Sequence, residues 1–169
     1  EIASCLVGSE MCIRDRSYPD TLSGEEIPVF IACEKADAYR QTMHSDELII
    51  TADTIVWLDG LVMGKPEDEE DARRMLRCLS GKTHQVITGV CLTTTEFQKS
   101  FATVTDVTFA ELTEEEIDYY VQKYKPMDKA GSYGIQEWIG FVGVEGITGS
   151  YFNVMGLPIQ RLYKELKKL

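Results

Sequence analysis

An α/β domain, with a mixed sheet and flanking helices, is the fold class this sequence predicts. Three observations carry it: runs dense in β-branched residues at 47–58, 83–95 and 99–112, amphipathic stretches of helical period, and no regular strand–helix–strand array. The 169 residues match about one domain by the usual prior of roughly 150 residues. Hydrophobic residues make up 44% and charged residues 27%, which excludes a disordered or membrane-embedded chain. The net charge of −11 argues against a nucleic-acid polymer as partner, because displacing phosphate counterions needs a basic stripe. A small anionic ligand remains compatible, since a few convergent lysines make a locally positive site on an acidic protein. The five cysteines form neither a C-x-x-C pair nor a zinc spacing, so they read as reduced thiols of a cytoplasmic protein. No apolar run approaches the roughly 20 residues of a membrane span.

From the N-terminus, Leu6 to Asp15 resembles one reading frame of a sequencing adapter, so residues 1–16 are read as a non-native segment and residues 17–169 as the domain. Glu25 to Thr42 places Ile27, Phe30, Ile31 and Ala38 at helical spacing, with Pro28 in the first turn. Glu47 to Leu58 is a buried strand interrupted chemically at Ala52-Asp53-Thr54. Acidic residues 67–71 lead into Ala72, Met75, Leu76 and Leu79, spaced i, i+3, i+4, i+7, and Gly81 supplies the stop. Thr83 to Thr95 and Lys99 to Leu112 read as a strand pair, separated by Glu96-Phe97-Gln98. Thr113 and Glu116 form a capping-box pattern that opens a helix over 114–123, closed by Pro126. A polar, glycine-bearing loop follows, then a last strand over 138–144. A closing helix over 157–169 should turn Ile159, Leu162, Leu166 and Leu169 inward.

Several residues could carry chemistry. Asp53 sits inside an apolar run, where a carboxylate must be paired, bound to a cation or facing a cleft; a backbone-bonded turn aspartate fits its position equally well. Lys65, in Gly64-Lys65-Pro66, stands just before a helix whose N-terminus favours anions, although alone it reads as a solvated loop lysine. Lys35, in Glu34-Lys35-Ala36, reads by itself as an exposed helix lysine. The loop 126–136 combines Asp128, Lys129, two glycines and Gln136, a composition shared by ligand loops and plain connections. Cys91 and His84 read as structural. Neither a Walker loop nor G-x-G-x-x-G is present, and two histidines without metal spacing exclude a zinc-hydrolase pattern.

In order and spacing, Glu34-Lys35-Ala36, Ala52-Asp53-Thr54-Ile55-Val56, Gly64-Lys65-Pro66, Leu79-Ser80-Gly81-Lys82-Thr83-His84-Gln85-Val86, Thr105-Asp106-Val107-Thr108-Phe109, Asp128 through Gln136, and Gly149-Ser150-Tyr151 to Gly156-Leu157-Pro158 resemble the Maf family. The resemblance covers residues 17–169. It implies an elongated α/β fold like that of the inosine-triphosphate pyrophosphatases, with a central substrate cleft and a homodimer. It also implies hydrolysis of a nucleoside triphosphate to the monophosphate and pyrophosphate with a divalent cation, Mg or Mn. By the same likeness, Asp53 is the catalytic carboxylate, acting as base toward water or holding the cation. Lys35 and Lys65 neutralise the triphosphate, and Asp128 and Lys129 complete a polar floor. Thr54 directly after Asp53, together with Gln136, resembles the group acting on dTTP and UTP, in which a hydroxyl and an amide can read a pyrimidine edge.

The family pattern begins with a strand and a helix-opening Ser-x-Ser-Pro-Arg-Arg, and neither is found here. The expectation is therefore a domain lacking that strand and helix. A purine-directed pyrophosphatase and a nucleotide-binding regulator of cell division, with little turnover, are the alternatives the same resemblance leaves open.

Overall fold

The structure is a computed structural model in which residues 18–169 are described; the expectation of a non-native segment over residues 1–16 falls outside them. The α/β expectation is borne out. A five-stranded sheet runs in the order β2-β1-β3-β4-β5. Its strands are β1 (Ile49–Leu58), β2 (Leu61–Met63), β3 (Thr83–Thr93), β4 (Gln98–Phe109) and β5 (Val144–Thr148). Asp59 and Gly60 both take positive φ, 51° and 86°, which is the geometry of a two-residue hairpin turn, so β2 returns antiparallel with Leu58 opposite Leu61. Residues 59–60 are an Asp-Gly pair, a hairpin signal that the reading of 47–58 as a lone strand passed over. Between β3 and β4, Thr94 Oγ1 accepts from the Glu96 and Phe97 amides and ties the turn. β4 pairs antiparallel with β5.

Two compact units divide the described residues: one holds residues up to Asp53 and Gly89–Ala102, the other Thr54–Thr88 and Thr103–Leu169. In the first, α1 (Glu26–Arg40) buries Ile27, Pro28, Ile31, Ala32 and Ala36. The helix approaches β3 so closely that a Cβ on Gly89 would stand 2.3 Å from the Pro28 carbonyl carbon, so no side chain fits there. Small side chains, Ala32 and Ala36 with Cys91, fill this contact. That close approach corrects the expected inward stripe: Ala36 is buried, whereas Ala38 is exposed.

The second unit holds the larger core. Val56, Leu58, Val86, Val107 and Phe109 of the strands meet Ala72, Leu76 and Leu79 of α2 (Glu69–Leu79) and Ile117, Tyr120 and Val121 of α3 (Glu114–Tyr124). The expected i, i+3, i+4, i+7 face of α2 is the buried one. Asp68 caps this helix by accepting from the Asp71 amide at 2.8 Å, and Thr113 with Glu116 forms a complete capping box on α3.

Three elements depart from expectation. Residues 126–136 are not an open polar loop: they hold a 3-10 turn, Ala130–Ser132, and Gly131 through Ile135 are buried. Trp138–Gly143 is a helix, α4, and the strand begins only at Val144. Gly140 explains the helix, because a Cβ there would lie 1.8 Å from the Ile135 carbonyl oxygen; the chain folds back on itself where a strand would extend. After a short helix α5 (Tyr151–Val154), the closing helix α6 is Ile159–Leu166 and buries Leu162 and Glu165. Ile159 and Leu169 stay exposed, contrary to the expected stripe. Glu165 is held there by ion pairs with Arg161 and Lys168, each at 2.9 Å.

Candidate active site

Asp53 occupies the middle of β1 without interrupting it, and its side chain is 2% exposed. In the first unit it meets α1: Lys35 Nζ lies 2.9 Å from Asp53 Oδ1 and donates at the same distance to the Ala52 carbonyl. Thr51 Oγ1 donates to the Ala32 carbonyl at 2.6 Å, a second tie between the same helix and strand. A buried carboxylate demands such a partner, so Asp53 is a strand residue paired with a lysine and not a turn aspartate bonded to nearby backbone. Lys35 is likewise no solvated helix lysine, since its side chain is 21% exposed and its ammonium is aimed at the strand.

Thr54 belongs to the second unit. Its Oγ1 is 2.9 Å from Thr88 Oγ1, and Thr88 Oγ1 donates to the Asn153 carbonyl at 3.2 Å. Asn153 is fully buried, and its Nδ2 donates to the Val86 carbonyl and to Thr105 Oγ1, each at 3.0 Å. Asn153 Oδ1 finds no partner among the described residues.

The remaining candidates cluster in the same unit. The Gly64 carbonyl accepts from the Gly131 amide at 3.0 Å, which ties the Gly64-Lys65-Pro66 segment to the 126–136 turn. Lys65 is exposed. Lys129 Nζ lies 2.9 Å from Asp128 and 3.2 Å from Glu137, and Glu137 in turn accepts from the Tyr120 hydroxyl. Burial works upward on the Asp128 carboxyl, but the Lys129 hydrogen bond and the charges of Lys129 and Lys65 outweigh it and hold the group below its ordinary range. For Lys129, burial works downward and is outweighed by Asp128 and Glu137, so the ammonium is held above its usual value. Gln136 is exposed at the end of the turn and makes no hydrogen bond to the other candidates.

Glu137, Thr88 and Asn153 escaped the sequence reading. Glu137 looks like any charge after a loop, and Asn153 stands among aromatics in a four-residue helix too short to show a period. Thr88 gave the one available signal, a hydroxyl inside the run Val86-Ile87-Thr88-Gly89-Val90, and threonine is too common in strands for that to stand out. His84 and Cys91 are structural, as expected: both are buried, and His84 Nε2 is 2.7 Å from the Tyr133 hydroxyl.

No group of three or more His, Cys, Asp or Glu side chains among the described residues could hold a metal ion, so they build no all-protein cage. A cation of the magnesium type needs no such cage, because it takes one or two carboxylates and completes its shell with phosphate oxygens and water.

The fold is that of an α/β protein, with a buried carboxylate held by a helix lysine in its first unit and, in its second, a glycine-bearing turn that carries Lys129. The chain belongs to the Maf family, whose profile, described as Maf-like protein, matches residues 10–169. It is 78% identical over 155 residues to the dTTP/UTP pyrophosphatase of Phocaeicola vulgatus, covering 92% of this chain and 80% of that protein. Identity is 72% to the protein of the same name from Bacteroides fragilis, with the same shares covered, and 60% to that of Parabacteroides distasonis, covering 90% of this chain and 79% of the relative.

Proposed function

We propose that this chain is a nucleoside triphosphate pyrophosphatase that hydrolyses dTTP and UTP to the monophosphate and pyrophosphate. The observation that carries the reading is the buried Lys35–Asp53 pair at 2.9 Å, in a chain 78% identical to a protein bearing that name. Water attacks the α-phosphorus, the bond from that phosphorus to the oxygen bridging toward the β-phosphate breaks, and pyrophosphate leaves while the water gives up a proton. Asp53 is the carboxylate placed for that proton or for a cation, and Lys35 fixes its orientation. Lys65 and Lys129 stabilise the charge that builds on the departing pyrophosphate, with Asp128 and Glu137 keeping Lys129 in place. Thr54 and Gln136 read the base. A divalent cation, Mg or Mn, would supply charge neutralisation on the phosphate oxygens, with Asp53 as its protein ligand. A cytoplasmic location, read from the cysteine spacing, and a homodimeric state, implied by the resemblance, belong to the same reading.

The test is pyrophosphate release from dTTP, UTP, GTP and methylated GTP with magnesium or manganese. It is run on this chain and on one carrying Ser-x-Ser-Pro-Arg-Arg ahead of Ser17. A preference for the pyrimidine triphosphates of about tenfold or more in kcat/KM supports the reading. Release from none of the four by either chain overturns it.

A further inference from the structure

Three oxygens in the second unit form a short relay, Thr54 Oγ1, Thr88 Oγ1 and the Asn153 carbonyl, at 2.9 Å and 3.2 Å. A carbonyl only accepts, so the Thr88 proton must lie on the Asn153 side; otherwise two oxygen lone pairs would face each other across 3.2 Å with no hydrogen between them. Thr88 has one proton, and once it is committed the 2.9 Å contact with Thr54 can be made only by the Thr54 proton. Thr54 therefore donates inward and keeps its lone pairs for whatever approaches from outside.

The anchor of the relay is rigid. The Asn153 side chain is pinned by Val86 and Thr105, and the Asn153 carbonyl also accepts from the Gly156 amide at 2.9 Å. Beside Thr54, the described residues leave space on the Gly156 side. Thr54 is half-buried, and a Cβ built on Gly156 would have Thr54 Oγ1, at 3.7 Å, as its one neighbour within 4 Å among the described residues. Gly156 has φ 109°, which L side chains rarely adopt, so residue 156 puts no side chain into that space.

We propose that Thr88 and Asn153 are positioning residues that fix the Thr54 hydroxyl as an acceptor, so that the site selects a nucleobase presenting an N–H donor, the N3–H of uracil or thymine. This rests on the reading of Thr54 as a base-contacting residue under the proposed function. The relay makes selectivity a matter of proton direction: an acceptor facing an acceptor is repelled, and a buried group left unpaired carries a penalty.

Thr88→Val tests the direction. Valine keeps the shape, and the Asn153 carbonyl retains the Gly156 amide, so the fold has no orphaned group to absorb. Binding of UMP and of the pyrimidin-2-one ribonucleotide, which carries a lone pair at N3 and no donor, is measured by calorimetry on the wild-type chain and the variant. The wild-type chain should favour UMP, and Thr88→Val should shrink that preference by about tenfold, because the released Thr54 hydroxyl can turn outward and donate. In UTP turnover the variant should raise KM with kcat nearly unchanged, whereas a merely structural role would lower kcat and stability together. An unchanged preference in a folded variant overturns the proposal, as does binding of neither nucleotide by the wild-type chain. Binding with the expected preference but without pyrophosphate release from any triphosphate would instead count against the proposed function and leave the relay standing.

Discussion

His84 illustrates what burial alone does to a titratable residue. Its ring is 2% exposed, its Nε2 meets a neutral tyrosine hydroxyl, and its Nδ1 has no partner among the described residues. Burial therefore pulls its pKa from 6.5 down to about 4. Between those values the unfolded chain binds a proton that the folded chain refuses, so this contribution to stability is complete above pH 6.5 and is lost as pH falls toward 4. The gap corresponds to about 3 kcal/mol at most. Urea midpoints measured from pH 7 down to pH 4.5 should fall less steeply for His84→Gln than for the wild-type chain, and parallel curves would refute the assignment. The Tyr133 contact was not legible in the sequence, because residues 84 and 133 meet only through tertiary packing. Asp53 was more legible: a carboxylate inside an apolar run must be explained by some partner, though the run itself could not say that the partner is Lys35.

At the scale of the element, local rules worked where local chemistry decides. The helix start at Thr113 was readable because a cap is a contact between residues three apart, whereas residues 67–71 announced α2 only as an acidic first turn and Asp68 emerged as its cap in the structure. Thr113→Ala removes the acceptor for the Glu116 amide and half of the reciprocal box, and should lower stability by about 1 kcal/mol, read as a shift of the urea midpoint at constant slope. A shift indistinguishable from zero would mean that the box is formed but idle. Local rules failed at residues 138–143, where β-branched and aromatic residues suggested a strand. Propensity was overridden there by a close backbone approach, since Gly140 packs against the Ile135 carbonyl. The same override hid the 126–136 turn: its composition is polar, yet Gly131 to Ile135 are buried because Gly131 binds the Gly64 carbonyl and Tyr133 joins the core. In α6 the buried polar residue, Glu165, broke a stripe that hydrophobic spacing had extended to Leu169.

For the molecule as a whole, the α/β class followed from the alternation of strand-rich and amphipathic stretches, but its division into two compact units did not. β1, β3 and β4 each contribute residues to both units, so the division falls within strands, where composition does not change. The site candidates divide accordingly: Lys35 and Asp53 in the first unit, Thr54, Lys65, Asp128, Lys129 and Gln136 in the second. The sequence singled out each of these, while the residues that hold them (Glu137, Thr88 and Asn153) became visible only once their partners were placed. If Asp53 carries the hydrolysis, its effect is isolated by Asp53→Asn, with pyrophosphate release from UTP measured beside UMP binding. Turnover should fall by about a hundredfold or more while UMP affinity stays within a few-fold; turnover at the wild-type rate in a folded Asp53→Asn chain would remove Asp53 from the chemistry.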